Sequence, residues 1–236
     1  MKNQENKIIK HISFIADGNR RYGKQHNLSE VEVYNLAFKK ILEISENFGE
    51  DFEFLSFFCY SKHNNKRNSL NSFDPLDSLE ANKLFTNFKC KIIGDIASLP
   101  EKNRLKIEKY QKTNSAIIDF KYSATIILFI NYSGSYDIEY TFQTMRLNLE
   151  NENLENKNLE NENFSNILKH SLVAQLPPID ILIRTGKHRR LSDYSILLLL
   201  NSEIYFSEKL WPNLTIEDII DILQYYKTNH FCFFGA

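Results

Sequence analysis

The sequence predicts an α/β fold: a single domain with a mainly parallel central sheet of about six strands, flanked by helices. Short runs of β-branched and aromatic residues alternate with helical patterns along the chain, which is typical of βαβ units. A length of 236 residues and a hydrophobic share of 42% fit one globular domain, residues 1–236. The predicted strands lie at about 11–16, 53–60, 90–95, 124–131, 180–184 and 202–206.

Helical patterns fill the intervals between these strands. After the first strand, apolar residues recur at three- and four-residue steps and form one face of a long helix. They are Val31, Tyr34, Phe38, Ile41, Leu42 and Phe48, with Ser45 in the same stripe. Thr215 followed by Asp218 resembles a capping box and predicts the start of the last helix. Pro75 and Pro100 mark two further helix starts, and a short helix is predicted over 193–200.

An Asn- and Glu-rich insertion, residues 148–163, interrupts this pattern. Its Asn-Leu-Glu-Asn motif repeats every five residues. In a helix, five residues turn by roughly 500°, so successive leucines are rotated by about 140° and never build one buried face. We interpret the insertion as a solvated helix extension or a mobile segment, with partner binding as the alternative.

Composition excludes several classes of function. A net charge of −1 gives no reason to expect a nucleic-acid partner. Three widely separated cysteines are typical of free thiols in a reducing compartment. The chain shows no secretory h-region and no apolar run of the roughly 20 residues that cross a bilayer. We therefore expect a cytoplasmic protein whose contact with a membrane, if it makes one, is peripheral.

The first group of candidate site residues is Asp17-Gly18-Asn19-Arg20-Arg21-Tyr22, directly after the first strand. Ligands of open parallel sheets bind beyond the carboxyl ends of the strands. A glycine allows close backbone approach to a phosphate, and arginines bind phosphate through two hydrogen bonds. A carboxylate among these cations fits a Mg²⁺ ion that itself binds a diphosphate. The alternative is an ordinary solvated Asp-Gly-Asn turn.

A second cluster, residues 184–192, follows the fifth predicted strand and carries several cations and a hydroxyl. Such a cluster at a strand end predicts a second diphosphate site. The alternative is a basic surface loop in which Ser192 caps a helix. Glu203, at the start of the sixth strand, is either an exposed charge or a second metal ligand.

Taken together, these residues resemble the cis-prenyltransferase family, the undecaprenyl diphosphate synthase-like isoprenyl transferases. The resemblance covers residues 11–235 and rests on separated blocks in the family's order. The blocks are 17–22 (Asp-Gly-Asn-Arg-Arg-Tyr), 92–95 (Ile-Ile-Gly-Asp), 131–134 (Asn-Tyr-x-Gly), 180–186 (Asp-x-Leu-Ile-Arg-Thr-Gly), 190–194 (Arg-Leu-Ser-Asp-Tyr), 203–206 (Glu-x-Tyr-Phe) and 210–212 (Leu-Trp-Pro).

The resemblance implies a role for each candidate. Asp17 resembles the Mg²⁺-linked aspartate, and Glu203 resembles the second acid of the metal site. Gly18, Asn19, Arg20 and Arg21 resemble the cradle of the allylic diphosphate, with Tyr22 beside it. Arg184, Arg190, Leu191 and Ser192 resemble the segment that binds isopentenyl diphosphate. Ser61, Asn64 and Arg67 match a Ser-x-Glu-Asn-Trp-x-Arg loop, in which the asparagine is the proposed proton acceptor.

The expected activity is therefore Mg²⁺-dependent condensation of isopentenyl diphosphate with an allylic diphosphate such as farnesyl diphosphate. The implied product is a long-chain polyprenyl diphosphate, with undecaprenyl diphosphate for a cell-wall carrier lipid as the specific expectation. The resemblance also implies a homodimer. The growing tail requires an apolar tunnel, for which helices near 28–48 and 75–89 are candidates, the latter through Leu76, Leu79, Leu84, Phe85 and Phe88.

Several positions depart from the family pattern. Glu30 replaces a basic residue and Tyr34 a histidine; the remaining departures are His63 and Asn65 for the loop's acid and tryptophan, His188 for an acid, and Ser135 for an arginine. A second hypothesis is therefore a degenerate, non-catalytic subunit or a prenyl-diphosphate-binding protein of the same fold. A phosphatase lacks support because no nucleophile motif is evident. A dinucleotide site lacks support because no G-x-G-x-x-G follows the first strand.

Overall fold

The computed structural model describes residues 9–65, 76, 78–151 and 167–229. Its centre is a six-stranded sheet in the order β3-β4-β2-β1-β5-β6, in which every neighbouring pair is parallel. Helices cover the sheet, so the predicted α/β class is confirmed. Because all six strands run in the same direction, their carboxyl ends meet at one edge, where ligands of such folds bind.

The strands lie close to their predicted positions. Each is a short run rich in β-branched or aromatic residues, and the four central strands are largely buried, as expected for a parallel sheet covered by helices. The strands are β1 (His11–Ile15), β2 (Phe54–Ser61), β3 (Lys89–Ile93), β4 (Thr125–Tyr132), β5 (Ile181–Arg184) and β6 (Glu203–Phe206).

Seven α-helices connect or follow these strands within the described residues. They are α1 (Asn19–His26), α2 (Glu30–Phe48), α3 (Lys62–Asn65), α4 (Leu79–Asn87), α5 (Glu101–Ser115), α6 (Gly134–Asn151) and α7 (Ile216–Asn229). Pro100 caps α5, as predicted. The predicted capping box of the last helix is confirmed, because Thr215 and Asp218 exchange backbone-to-side-chain hydrogen bonds of 2.9 and 3.2 Å.

Side-chain alternation along the strands divides the core between the two faces of the sheet. Phe14 and Phe57 pack on one face with α2 and Trp211, whose indole donates to the carbonyl of Ala37. Ile15 and Phe58 point to the opposite face. Helix α2 buries most of its predicted stripe, but Val31 is 48% exposed and Val33 is buried in its place.

The prediction of a helix over 193–200 is wrong. This stretch contains turns and one 3₁₀ turn, Ile196–Leu198. Ser192 and Asp193 both adopt left-handed backbone angles, which do not continue into a helix. The carbonyl of Leu198 accepts from the amide of Ile179 at 2.9 Å, which ties this stretch to the residues before β5.

Only some of the residues expected to line an apolar tunnel are buried. Leu76, Leu84, Phe85 and Phe88 are buried in the main core. Leu79 is 75% exposed on the first turn of α4, so its assignment to an internal tunnel is wrong. Pro75 and residues 152–163 of the insertion lie outside the described residues; before them, α6 extends to Asn151. In the described part of the chain, every helix is too short or too polar to cross a membrane.

His11 provides a test of the core near the amino end of β1. Its ring is fully buried between Ser56 Oγ, 2.8 Å from Nε2, and the carbonyl of Pro177, 3.0 Å from Nδ1. Burial lowers its pKa from 6.5 to about 4. Between these values the unfolded chain binds more protons than the folded protein. The contribution of His11 to the free energy of unfolding is therefore complete above pH 6.5 and is lost as the pH falls towards 4.

We therefore expect the free energy of unfolding to fall by about 3 kcal/mol more in the wild type than in His11→Gln between pH 7 and pH 4. Urea unfolding at both pH values measures the difference. Equal losses in the two proteins would show that His11 is not held neutral by the fold.

Candidate active site

The two cationic motifs meet at the carboxyl edge of the sheet. β1 and β5 are neighbours, and their register pairs Ile15 with Arg184. The loop after β1 therefore lies beside the loop after β5, although the two are far apart in sequence. Arg184 Nη2 donates to Asp17 Oδ2 at 2.9 Å. The prediction that both motifs share one edge of the sheet is confirmed.

Asp17 is fixed through both its side chain and its main chain. Its second carboxylate oxygen, Oδ1, is 3.3 Å from Nη2 of Arg21, which also donates to the carbonyl of Gly186 at 2.6 Å. The Asp17 carbonyl accepts from Thr185 Oγ1 at 2.8 Å and from the amide of Trp211 at 3.0 Å. Asp17 therefore joins β1, β5 and the segment after β6 at a single point.

Arg184 organises the segment that follows it, which we name the basic loop (residues 185–192). The side chain of Arg184 is 2% exposed. Nη1 donates to Ser192 Oγ at 2.7 Å and to the carbonyl of Arg190. Burial lowers the pKa of the Arg184 guanidinium, and the adjacent Asp17 opposes this effect. Because both terminal nitrogens already contact protein atoms, Arg184 holds the loop in shape while Arg190 remains exposed.

A cleft of about 810 Å³ opens between these segments. Its walls are strongly cationic: five Arg and Lys side chains line it, against two carboxylates. The cations are Arg20, Arg21, Lys24, Arg184 and Arg190, and the acids are Asp17 and Asp193. A cleft with this balance attracts anions, and the paired donors of arginine match phosphate oxygens.

Two glycines allow the close packing around Asp17. Gly18 caps α1 with φ 113°, and a Cβ there would lie 2.9 Å from Leu210 side-chain atoms. Gly186 has φ 86°, and a Cβ would lie 2.5 Å from Nη2 of Arg21 and 3.0 Å from the Asp17 backbone. Both positions therefore combine a backbone angle that favours glycine with lack of space for a side chain.

Most of the predicted site residues line the cleft. Besides Asp17 and the arginines, the lining includes Gly18, Asn19, Ser61 and Ser192. Tyr22 and Leu191 are not among the lining residues. Tyr22 contacts His26 along α1, with ring centroids 4.2 Å apart, and Leu191 packs against the core on the sheet face that contains Ile15 and Phe58. The side chain of Asn64 and all of Arg67 lie outside the described residues.

Glu203 does not join Asp17 in one chain. It is the first residue of β6, and the register places it level with Ile181 of β5 and Ile12 of β1. It therefore lies three residues, about 10 Å, before the level of Arg184, and two strands away from β1. Strand starts and strand ends face opposite edges of a parallel sheet, so Asp17 and Glu203 do not meet within one chain. The role of Glu203 as a second metal ligand stays a prediction.

Of the two predicted metal ligands, Asp17 is the one that lines the cleft. Within the described part of the chain, no group of three or more His, Cys, Asp and Glu side chains could hold an ion. The Asp17 carboxylate is 31% exposed and lines the cleft. One accessible carboxylate fits Mg²⁺, which commonly keeps several waters and takes further oxygens from a phosphate ligand.

Two residues of the site, Lys24 and Thr185, carry no role predicted from the sequence. Lys24 lies one turn after Arg20 on α1 and lines the cleft, but the candidate motif ended at Tyr22. Thr185 lies between Arg184 and Gly186 in a block that resembles the family, and this position could have identified it as a site residue. Among the departures from the family pattern, Tyr34, His63 and His188 line the cleft. Burial, and then Glu30, raise the pKa of Tyr34 to about 12.

We expect Gly186→Ala to weaken pyrophosphate binding about tenfold or more, because the new Cβ displaces Arg21 from Asp17. Calorimetric titration with pyrophosphate measures this loss. Asn27→Ala is the matched control, since Asn27 also has a left-handed backbone (φ 55°) but lies at the far end of α1. Both variants place an alanine in a left-handed backbone, so equal affinities would exclude a specific role for Gly186.

Comparison with known proteins agrees with this geometry. Residues 15–233 match the family model described as "Putative undecaprenyl diphosphate synthase". A ditrans,polycis-undecaprenyl-diphosphate synthase of Coxiella burnetii is 30% identical over 94% of this chain and 94% of its own length. A protein of the same name from Haemophilus influenzae is 27% identical over 97% of this chain and 96% of its own.

A solved structure shows the same fold. Lavandulyl diphosphate synthase from Lavandula x intermedia, in complex with dimethylallyl diphosphate, superposes with a TM-score of 0.79 at 21% identity, covering 97% of this chain and 98% of that one. The family model spans nearly the whole sequence and includes both cationic motifs. The chain therefore belongs to the undecaprenyl diphosphate synthase family of cis-prenyltransferases, which are enzymes.

Proposed function

We propose that this chain condenses isopentenyl diphosphate with an allylic diphosphate, such as farnesyl diphosphate, in a Mg²⁺-dependent reaction. The observation that carries the proposal is the cationic cleft around Asp17, where two separate motifs converge. Two substrates that each bear a diphosphate need many positive charges in a small volume. A chain with a net charge of −1 concentrates five Arg and Lys side chains at this one edge.

The allylic diphosphate is assigned to the first motif. Asn19, Arg20 and Arg21 form the first turn of α1, and the free amides of a helix start favour an anion. Arg20 is exposed at the cleft, whereas Arg21 already contacts Asp17 and Gly186. Arg20 is therefore the side chain most available to the leaving diphosphate, and Arg21 fixes the position of Asp17.

The isopentenyl diphosphate is assigned to the basic loop. Arg190 and Ser192 line the cleft, and the loop that carries them is held by Arg184. In the reaction, the allylic C–O bond breaks and its electron pair leaves with the diphosphate. The isopentenyl double bond then forms the new C–C bond, and a proton leaves the adjacent carbon. Cations fixed in place before the reaction stabilise the developing charge without reorganisation.

Mg²⁺ would be held by Asp17 together with diphosphate oxygens and water, and when bound it would neutralise charge on the departing diphosphate. The contacts of Asp17 with Arg21 and Arg184 orient its carboxylate, which lines the cleft. For the released proton we propose Asn64 or a diphosphate oxygen as the acceptor. Asn64 follows His63, which lines the cleft.

The proposed product is a long-chain polyprenyl diphosphate, and specifically undecaprenyl diphosphate for a cell-wall carrier lipid. The names of the relatives from Coxiella burnetii and Haemophilus influenzae support this choice. A product of this kind is strongly apolar, so we propose that the protein acts in the cytoplasm and makes peripheral contact with a membrane when the product is released.

We propose a homodimer on the basis of the outer edge of the sheet. β6 is an edge strand whose outer backbone groups are unpaired within the described sheet, and Ile204 and Tyr205 are 38% and 40% exposed. Ile196 and Leu200, just before this strand, are 53% and 61% exposed. Apolar side chains beside an open strand edge are typical of a surface that another chain covers.

The proposed reaction predicts labelled, extended product from the purified protein with Mg²⁺, farnesyl diphosphate and labelled isopentenyl diphosphate. We expect Asp17→Ala and chelation by EDTA each to lower turnover at least 1,000-fold, that is by about 4 kcal/mol or more in activation free energy. Asp51→Ala, at an exposed acid on the opposite side of the sheet, should leave turnover unchanged. Failure of the folded wild type with several allylic primers would favour the non-catalytic subunit.

The proposed dimer predicts a mass of twice 27.8 kDa in sedimentation equilibrium. Ile204→Glu places a charge on the β6 edge and should shift the protein to monomer. Ile118→Glu is the control, because Ile118 is fully exposed near the other edge of the sheet. A dimer that persists in Ile204→Glu would place the interface elsewhere.

A further inference from the structure

We propose that Lys62 and His63 are positioning residues for prenyl transfer: through Asp95 and Asp193 they fasten α3 to the strand ends on either side of it. This inference rests on the proposed function. Helix α3 follows β2 directly. It begins just after Ser61, which lines the cleft, and it contains Asn64. The orientation of α3 therefore decides where Asn64 lies relative to a bound substrate.

The first attachment joins α3 to the end of β3. Lys62 Nζ lies 2.5 Å from Asp95 Oδ2 and 3.4 Å from the centre of the Tyr136 ring. Asp95 is itself held, since its Oδ1 accepts from the amide of Ser98 at 3.3 Å and its carbonyl accepts from Asn131 Nδ2 at 2.7 Å. Burial raises the pKa of Asp95, but the hydrogen bonds from Lys62 and Ser98 outweigh it and hold this pKa below its ordinary value.

The second attachment joins α3 to the basic loop and to α6. His63 Nε2 lies 3.0 Å from Asp193 Oδ2. The same carboxylate accepts from the amide of Ser135 at 2.9 Å and from the Ser135 hydroxyl, and the Asp193 carbonyl accepts from the amide of Gly134 at 2.7 Å. Asp193 thus ties α3 and the start of α6 to the end of the basic loop.

Two attachments in different directions fix the orientation of α3 as well as its position. Asp95 follows β3 and Asp193 follows the basic loop after β5, and the sheet order places β2 between those two strands. A four-residue helix has too few internal hydrogen bonds to be stable by itself, so its geometry depends on such external contacts. His63 is 61% exposed and Lys62 34%, which leaves both pairs within reach of solvent.

This arrangement also accounts for two departures from the family pattern together. His63 stands where the family pattern has an acid, and Ser135 where it has an arginine. Both side chains hydrogen-bond to the same carboxylate, Asp193. The two substituted positions therefore share one acceptor in the loop after β5.

The test combines hydrogen–deuterium exchange with steady-state kinetics on the full chain. In Lys62→Met and His63→Ala, we expect the amides of residues 62–65 to exchange about tenfold faster without substrate, and the double variant to exceed both. Turnover should fall about tenfold in each single variant, while the melting temperature changes by only a few degrees. Lys10→Met is the matched control, because it removes another lysine–carboxylate pair, with Glu53 at 2.9 Å, far from the cleft.

Conservative variants distinguish positioning from a direct chemical role. Lys62→Arg and His63→Lys retain a donor for the same carboxylates and should restore most of the protection and turnover. If His63→Lys loses as much turnover as His63→Ala, the imidazole itself is needed and a positioning role for His63 is overturned.

The exchange measurement is independent of catalysis. Unchanged exchange in the double variant would overturn the proposed attachment of α3 even if turnover fell. Faster exchange with wild-type turnover would overturn its role in prenyl transfer. A wild type without transferase activity would overturn the proposed function and this role in it, while the exchange data would still show whether the two pairs hold α3.

Discussion

The ion cluster of Asp17, Arg21 and Arg184 is the interaction on which the rest of the site depends. A nearly buried guanidinium is costly unless a carboxylate and further acceptors compensate it. Arg184 meets this requirement with Asp17, Ser192 and the carbonyl of Arg190. Because these acceptors come from two loops, satisfying one buried cation also brings the β1 motif and the basic loop together.

The same constraint explains the conformation of the surrounding backbone. Gly18 and Gly186 have left-handed angles where the loops approach Asp17 most closely, and Lys187, Ser192 and Asp193 also have positive φ. Thr185 and Trp211 then bind the Asp17 carbonyl. Strained backbone of this kind persists when the surrounding contacts determine it, and it is common at functional sites. Contacts within the protein therefore determine the conformation of the site.

Local patterns predicted the architecture well because they follow from periodicity. β-branched runs located all six strands, and Thr215 with Asp218 located the cap of the last helix. The failures have tertiary causes. The stretch 193–200 has the composition of a helix, yet Asp193 has a left-handed backbone and contacts Gly134 and Ser135. The hexapeptide 17–22 has the composition of a turn, yet α1 starts within it and brings Lys24 to the cleft.

Sequence alone determined the fold class, the family and the two motifs that carry charge, because each is written in residues close together along the chain. Only the tertiary structure decided which of these residues meet. The parallel register brought Arg184 to Asp17 and left Glu203 at the opposite end of its strand. It also gave Lys62 and His63 their carboxylate partners. Such pairings depend on which strands are neighbours, and strand order results from packing the whole core.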